Sequence, residues 1–318
     1  MTGRRCSGAL LLLAVGIAAC RPAGARTTLL TIATGGTGGV YYPLGGALAQ
    51  IYTQRLPGVT ASAQATVASV FNVQAVDQGK ADLAFTQGDV AYLAYAQGTP
   101  SRPQPHVNLR GLAVLYVNTV QIVARARSDI RSIDDLRGRR VGVGAPGSGT
   151  EVAARIVIEA HGLRYEDVQP DFLSFAEVAA QFQDGTLDAG FLVASYPVAA
   201  LTDAATTVGV RLLPVGADAV ARIREQYPFF KPVTIPAGTY RGQDEPLPTV
   251  GVDNLLVCRA GLDEDLVYRL TRVFFESLPD LARTHAAARA VDPAAAAASP
   301  LPLHPGAARY YRERGLLP

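Results

Sequence analysis

Residues 32–43 read IATGGTGGVYYP: the apolar end of a strand, a glycine-rich turn and the start of a helical pattern. A turn of this kind exposes backbone N–H groups with the positive end of the helix dipole behind them, an arrangement that binds anions. A second turn of the same kind occurs at residues 143–150, which read VGAPGSGT. Two strand–turn–helix units of one type predict an α/β chain built from two similar halves.

The remaining sequence alternates apolar runs with helical periodicity, which predicts βαβ units and mostly parallel sheets. Two longer runs, residues 109–126 and 249–259, are mostly apolar, and we expect them to carry the chain from one sheet to the other and back. We also predict a helix at 132–136, a strand at 171–175 and a single helix at 264–283.

Two similar α/β lobes joined by two crossing segments are typical of a type II periplasmic binding protein, which closes on its ligand by hinge motion. The predicted fold has two similar parallel-rich sheets flanked by helices, with a ligand cleft between the lobes. The predicted domains are a signal peptide at 1–25, lobe 1 at 28–120 with 249–318, and lobe 2 at 121–248.

Composition narrows the class of protein. The chain has 318 residues, 49% hydrophobic and 18% charged, which is a globular balance and not that of a disordered protein. Its 29 basic and 27 acidic residues leave a net charge of +2, so there is no broad basic field for nucleic acid. We expect a monomer without a nucleic-acid partner.

The N-terminus has the layout of an export signal, with Arg4 and Arg5 before an apolar core at 10–19 and small residues after it. The core is too short for a retained membrane helix. Two cleavage sites stay open: residues 17–20 read IAAC, in which Cys20 would be lipidated, and residues 23–25 read AGA, an ordinary signal-peptidase site. Either site predicts a periplasmic protein, and the first predicts a membrane-anchored lipoprotein.

The sequence offers no catalytic constellation. The four histidines lack metal-ligand spacing, and residues 147–149 lack the outer glycines of a nucleophile elbow. Residues 142–147 match a dinucleotide-binding pattern weakly, because Pro146 stands in the turn. Cys258 lies alone in an apolar run and is expected to be a buried packing residue. We predict neither an enzyme nor a metal or cofactor site.

The candidate binding residues therefore lie in the two turns, on opposite walls of the cleft, where backbone N–H groups and hydroxyls suit a small carboxylate. The alternative is that the glycines only make tight connections and that Ser or Thr caps each helix. The residues are Thr37, Gly38, Gly39, Ser148, Gly149 and Thr150.

Four motifs together resemble the TAXI family, the solute receptors of TRAP transporters, which are energised by an ion gradient. They are residues 32–43, 85–92 (FTQGDVAY), 143–150 and 235–244 (IPAGTYRGQD). The resemblance covers about residues 28–278. It implies a two-lobed receptor that hands a small organic anion, in several members glutamate or a related dicarboxylate, to a membrane permease.

By position, the resemblance adds further residues to the two walls of the cleft: Tyr41, Thr86, Gln87 and Asp89 on the first, and Tyr196 on the second. Asp89 has two interpretations, because it could pair with a ligand ammonium or stabilise the N-terminus of its own helix.

The chain departs from the family pattern in the first crossing segment. The family often carries Glu and His where this chain has Asn118 and Gln121. An uncharged or differently charged acid is therefore open as the ligand. A second function, a lipoprotein that reports ligand occupancy to a membrane signalling partner, fits the same sequence.

Overall fold

The computed structural model describes residues 27–317, so the predicted signal peptide and Cys20 lie outside the described residues. Within them the chain forms ten strands and ten α-helices. The strands are β1 (Thr28–Ala33), β2 (Val59–Gln64), β3 (Leu83–Gln87), β4 (Leu109–Arg125), β5 (Arg140–Gly142), β6 (Gln169–Asp171), β7 (Ala189–Ala194), β8 (Val210–Leu213), β9 (Phe230–Ile235) and β10 (Leu247–Arg259). The helices are α1 (Tyr41–Arg55), α2 (Ser69–Asp77), α3 (Gly88–Gln97), α4 (Gly149–Ala160), α5 (Phe175–Gln183), α6 (Ala199–Thr207), α7 (Ala217–Gln226), α8 (Glu264–Glu276), α9 (Leu278–Thr284) and α10 (Pro305–Glu313).

The strands follow the order β2-β1-β3-β10-β4-β7-β5-β6, with β9 beside β10 and β8 beside β4. Pairing is parallel among β1, β2 and β3 and again among β5, β6 and β7. These two groups correspond to the two predicted parallel-rich sheets, which the structure joins into one ten-stranded sheet. Hydrogen bonding continues from one half to the other through β4 and β10, which pair antiparallel to their neighbours.

The two predicted crossing segments are β4 and β10. The first part of β4, up to Thr119, pairs with β10, whereas the part from Thr119 onward pairs with β7. β10 pairs with β9 up to Val252 and with β3 from Asn254. Each long strand therefore serves both halves, and a register shift in β10 after Asp253 lies at the crossing. The lobe boundaries at 120/121 and 248/249 stay a prediction.

Helices cover both faces of the sheet. In β3, Leu83 and Phe85 join one core cluster and Ala84 joins another, because successive side chains of a strand point to opposite faces. Leu256 and Cys258 of β10 lie in the first of these clusters. Burial raises the pKa of the Cys258 thiol to about 12, so this residue packs as an apolar thiol.

Two short segments differ from their predictions. The helix predicted at 132–136 is wrong, since only a 3-10 turn at Asp134–Leu136 forms there. The strand predicted at 171–175 ends at Asp171. Ser174 and Glu177 then make a reciprocal capping box, which starts α5 at the next residue.

The prediction of a single helix at 264–283 is also wrong. It is two helices that meet at Ser277, and Pro279 lies in the first turn of the second. Proline has no N–H to donate and cannot continue a helix interior. Elements α6 and β9 were not predicted.

Over residues 27–317, no helix has both the length and the apolar character that are needed to cross a membrane.

Candidate functional site

A cavity of about 220 Å³ lies between the two halves of the molecule, and both glycine-rich turns line it. The structure thus brings together the six residues predicted from the turns: Thr37, Gly38, Gly39, Ser148, Gly149 and Thr150. Tyr41 and Gln87 line the same cavity. The role of these eight residues in ligand binding stays a prediction.

Five helices begin at this cavity. The residue that precedes each of α1 to α5 lines it: Val40, Ala68, Gln87, Ser148 and Ser174. The N–H groups of a first helical turn have no intrahelical partner, and the helix dipole places partial positive charge there. The cavity therefore concentrates hydrogen-bond donors and positive potential without a cationic side chain.

Neutral groups make up the rest of the lining. Among the described residues that line the cavity there is no Asp, Glu, Lys, Arg or His. Aliphatic hydroxyls come from Thr37, Thr66, Ser69, Ser148, Thr150 and Ser174, and Tyr41 adds a phenol. Ser148 Oγ accepts a hydrogen bond from Glu151 N at 3.2 Å and so caps α4. The capping interpretation of this residue is therefore confirmed, whereas its role in ligand binding stays a prediction.

Each turn touches the opposite half of the molecule. Gly147 O accepts a hydrogen bond from Val70 N at 3.1 Å. A Cβ atom at Gly38 would lie 3.6 Å from the backbone N of Ala176 in α5. The cavity is thus bounded on both sides by contacts between the halves.

The second turn depends on glycine for its shape. Gly144 and Gly147 have φ of 95° and 74°, a conformation that glycine adopts without strain. A Cβ atom at Gly144 would lie 2.6 Å from Cβ of Thr150, so the turn could not close against α4 with any other residue.

A hydrogen-bonded chain ties the cavity to both crossing strands. Tyr41, the first residue of α1, donates its phenol proton to Oδ1 of Asn254 in β10. The same phenol oxygen accepts from Nδ2 of Asn118 in β4 at 3.2 Å. Nδ2 of Asn254 in turn donates to Tyr116 O at 3.2 Å. Burial is the main cause that raises the pKa of Tyr41, so the phenol remains protonated and can donate.

Three predicted residues lie elsewhere. Thr86 is buried on the other side of β3 from Gln87, as the strand alternation requires. Tyr196 lines a second cavity, together with Lys231 and Asp253. Asp89 does not line the first cavity either; it is buried in the first turn of α3.

The Asp89 carboxyl is unusual within the described part of the chain. Neither of its oxygens makes a hydrogen bond of ordinary geometry there, and only the backbone N–H groups of Asp89 and Val90 act on them. Desolvation raises its pKa from 3.8 to about 7, because burial in a low-dielectric interior disfavours the charged form. Its place in the first turn of α3 is the one that the second interpretation requires, and the stabilising role itself stays a prediction.

Several lining residues were not predicted from the sequence, among them Thr66, Ser69, Ser174 and Phe175. The capping box of α5 could have revealed Ser174, since a Ser followed three residues later by Glu marks a helix start. Asn118 also lines the cavity, whereas the sequence marked it only as a departure in a crossing strand.

Comparison with known proteins gives a family match and several more distant relatives. A model described as the NMT1-like family matches residues 32–315. A protein of Escherichia coli (strain K12) that is named for binding aliphatic sulfonates is 31% identical over 150 residues. The matched stretch covers 46% of this chain and 41% of that protein, so the chain spans less than half the length of this curated relative.

Solved structures agree on the fold. The alkanesulfonate-binding protein SsuA from Xanthomonas axonopodis pv. citri, bound to MOPS, aligns with a TM-score of 0.50 at 18% identity, over 92% of this chain and 86% of its own. A Bordetella bronchiseptica RB50 protein gives a TM-score of 0.54 at 18% identity, over 91% and 89%. A Listeria monocytogenes protein named for an L-cystine ABC transporter gives 0.51 at 13%, over 83% and 98%. The predicted α/β type II periplasmic binding protein fold is confirmed.

Proposed function

Since the chain belongs to the NMT1-like family and is a substrate-binding protein rather than an enzyme, we propose that it captures a small organic anion in the periplasm and delivers it to a membrane transporter. One observation carries the proposal: five helix N-termini meet at a cavity between the halves, and the described residues that line it include no Asp, Glu, Lys, Arg or His. In such a cavity, backbone N–H groups and hydroxyls alone would bind the anion.

The lining favours a ligand with one acid group. A sulfonate spreads one charge over three oxygens, which can accept several N–H and O–H donors at once. A dicarboxylate would bring a second charge into a site without a cationic partner in its described lining, and an unpaired buried charge is costly. We therefore place a sulfonate or a single carboxylate ahead of the dicarboxylates that the TAXI resemblance implies.

The rest of such a ligand has apolar surface to contact. Val67 lines the cavity from one half, and Leu173, Phe175 and Val193 line it from the other. A short aliphatic chain would be buried against them and gain about 0.8 kcal/mol for each methylene group. The names of the E. coli and Xanthomonas relatives, for aliphatic sulfonates and alkanesulfonates, support this class.

The partner is a membrane transporter, and its class follows from how uptake is energised. The four TAXI-like motifs favour a TRAP permease, which an ion gradient drives, whereas an ABC transporter hydrolyses ATP. Uptake of the identified ligand by cells that express this chain and its transporter should stop when the ion gradient is collapsed, if the TRAP proposal holds. Uptake that survives this treatment and stops on ATP depletion would replace it with an ABC system.

Binding is tested directly by thermal shift. The chain without its predicted signal peptide is refolded to remove bound ligand and is then mixed with sulfonates, monocarboxylates, dicarboxylates and neutral amides of matched size. Ligand at about 100 times its Kd should stabilise the fold by roughly 2.7 kcal/mol. We expect a rise in Tm with single-acid compounds and none with the amides. A panel in which no acid raises Tm would refute the anion receptor.

A further inference from the structure

The second cavity is larger than the ligand cavity. It has a volume of about 460 Å³, and both halves of the molecule line it. Ser195 and Tyr196 belong to the second half, since they follow β7. Ala295 lies in a segment that is tied to the first part of β4 by a hydrogen bond from Val114 N to Ala296 O at 2.8 Å. The second cavity therefore spans the boundary between the halves, as the ligand cavity does.

The crossing strand β4 separates the two cavities. Asn118 lines the ligand cavity, whereas its neighbours Val117 and Thr119 line the second cavity, because successive side chains of a strand point to opposite faces. Thr119 is also the residue at which β4 changes its partner from β10 to β7. Asp253 of β10, which adjoins the register shift, lines the second cavity as well. The second cavity thus lies behind the point at which a hinge between the halves would bend.

A hinge at this crossing gives the two cavities opposite responses. Contacts between the halves bound the ligand cavity in this structure, among them the hydrogen bond from Val70 N to Gly147 O. A rotation about the crossing strands that separates these contacts would move the segment around Ala295 toward Tyr196 and narrow the second cavity. A molecule in the second cavity is therefore accommodated better in the closed form, and it shifts the equilibrium toward that form.

The lining of the second cavity suits an organic cation with an apolar body. Lys231 Nζ donates to both carboxylate oxygens of Asp253, at 2.8 and 2.6 Å, so these two charges compensate each other. Asp292 is exposed, and the described residues that line the cavity include no base other than Lys231. Leu115 and Val233 are among the apolar lining residues. The lining thus has one uncompensated negative charge beside apolar surface.

We propose that the second cavity is a regulatory site, in which a small organic cation holds the halves closed and raises the affinity of the other cavity for its ligand. The coupling rests on the proposed function, which supplies that ligand. Coupling between two binding sites is reciprocal, so the ligand must raise the affinity for the cation by the same factor.

Two probes of equal length test the class of ligand. Hexan-1-amine is protonated at pH 7, and hexan-1-ol has the same chain without the charge. Titration calorimetry should show the amine binding about threefold or more tightly than the alcohol, which is the factor that an exposed ion pair provides. Asp292→Asn should abolish this preference, whereas Asp218→Asn, which changes an exposed acid of α7, should keep it. If the amine binds no more tightly than the alcohol, or if neither binds, the cation site is overturned.

The coupling is measured with both ligands present. Saturating hexan-1-amine should lower the Kd of the best acid of the thermal-shift panel about threefold or more, and the acid should lower the Kd of the amine equally. Ammonium chloride at the same concentration is the control for ionic strength. An amine that binds without changing the Kd of the acid would overturn the regulatory role.

Filling the second cavity tests the coupling without an added cation. Ala295→Trp places a ring in the space that opening would have to close, so we expect it to lower the Kd of the acid about threefold or more and to slow its release. Ala294→Trp is the matched control, because Ala294 is an exposed neighbour that does not line the cavity. An equal or higher Kd in Ala295→Trp than in Ala294→Trp would overturn the coupling.

Small-angle scattering separates this inference from the proposed function. The ligand-free Ala295→Trp chain should have a smaller radius of gyration than the Ala294→Trp chain, whether or not any acid of the panel binds. Equal radii would overturn the coupling and leave the anion receptor standing. A panel in which no acid binds would instead refute the anion receptor, while a smaller radius would still support a hinge that the second cavity controls.

Discussion

The side-chain amide of Gln87 packs against Gly149 across the cavity, so that a Cβ atom at residue 149 would lie 2.4 Å from Cδ of Gln87. Gln87 precedes α3 in one half and Gly149 opens α4 in the other. The two halves meet this closely because residue 149 has no side chain. The lack of a side chain at residue 149 therefore determines how closely the two halves can approach each other across the cavity.

Gly149→Ala is expected to weaken ligand binding. The new methyl group would push the Gln87 amide away and hold the halves apart, and we expect a Kd about tenfold higher, equivalent to about 1.4 kcal/mol. Titration calorimetry with the best acid of the panel measures this, and small-angle scattering measures closure. Gly216→Ala is the matched control, since a Cβ atom there would have no neighbour within 4 Å. Unchanged affinity in Gly149→Ala would mean that Gln87 moves aside at no cost.

Ser148→Ala should lower both stability and affinity. The loss of a helix cap costs about 1 kcal/mol of the free energy of unfolding, and the cavity loses one hydroxyl donor. Asp263→Ala removes the cap of α8, whose Oδ1 accepts from Leu266 N at 2.8 Å. We expect a similar loss of stability in that control and no change in Kd. Chemical denaturation measures the loss of capping in the two variants, and calorimetry measures their Kd. If Ser148→Ala binds the ligand as tightly as the wild type, Ser148 is not a ligand contact.

Asp89→Asn should alter how stability depends on pH. The pKa of this carboxyl is raised by burial from 3.8 to about 7, so between these values the folded state holds a proton that the unfolded state has lost. The free energy of unfolding of the wild type should therefore fall as pH rises from about 4 to about 7. In the variant this contribution is absent, and at pH 8 we expect it to be more stable by roughly 1–3 kcal/mol.

The control for this experiment is Asp218→Asn, which changes an exposed acid in the first turn of α7. Its pH profile should follow that of the wild type. Denaturation midpoints at pH 4 and at pH 8 suffice, and parallel profiles for Asp89→Asn and the wild type would show that the carboxyl finds a hydrogen-bond donor in solution.

Tyr240→Phe should destabilise the fold. Tyr240 accepts a hydrogen bond from Val198 N at 2.8 Å and donates to Oε1 of Gln121 in β4. Removing its oxygen leaves two buried groups unpaired, for which we expect a loss of about 1–3 kcal/mol in urea denaturation. Tyr42→Phe makes the same change at a residue that is 38% exposed and should cost less than about 0.5 kcal/mol. Equal effects of the two substitutions would contradict this role for Tyr240.

The parts of the site that depend on local geometry were predictable. Glycines such as Gly144 and Gly147 adopt positive φ because of their own backbone freedom, and a turn after a strand fixes where the next helix begins. The fold class followed from the repetition of this unit and from the two long apolar runs. All of these signals lie within short stretches of sequence.

The parts that depend on distant pairing were not predictable. Asn118 faces the cavity because β4 is paired with β10 and because Tyr41 and Asn254 orient its amide. No sequence pattern near residue 118 predicts that its side chain faces the cavity. Tyr196 lies on the second cavity for a similar reason, since the chain leaves β7 at Ala194 and turns away. One strand position decides which of Thr86 and Gln87 lines the cavity between the halves, and composition does not reveal that choice.

Within residues 27–317, β10 is the last strand in chain order, yet it lies between β3 and β4. The ribosome synthesises the chain from its N-terminus, so β3 and β4 are made first. The strand that lies between them, residues 247–259, is made later. Until then both strands expose unpaired backbone edges, which can pair with other chains. The sheet can therefore be completed only after residues 247–259 have been made, and interrupted synthesis products that stop before β10 should be the species most prone to aggregate.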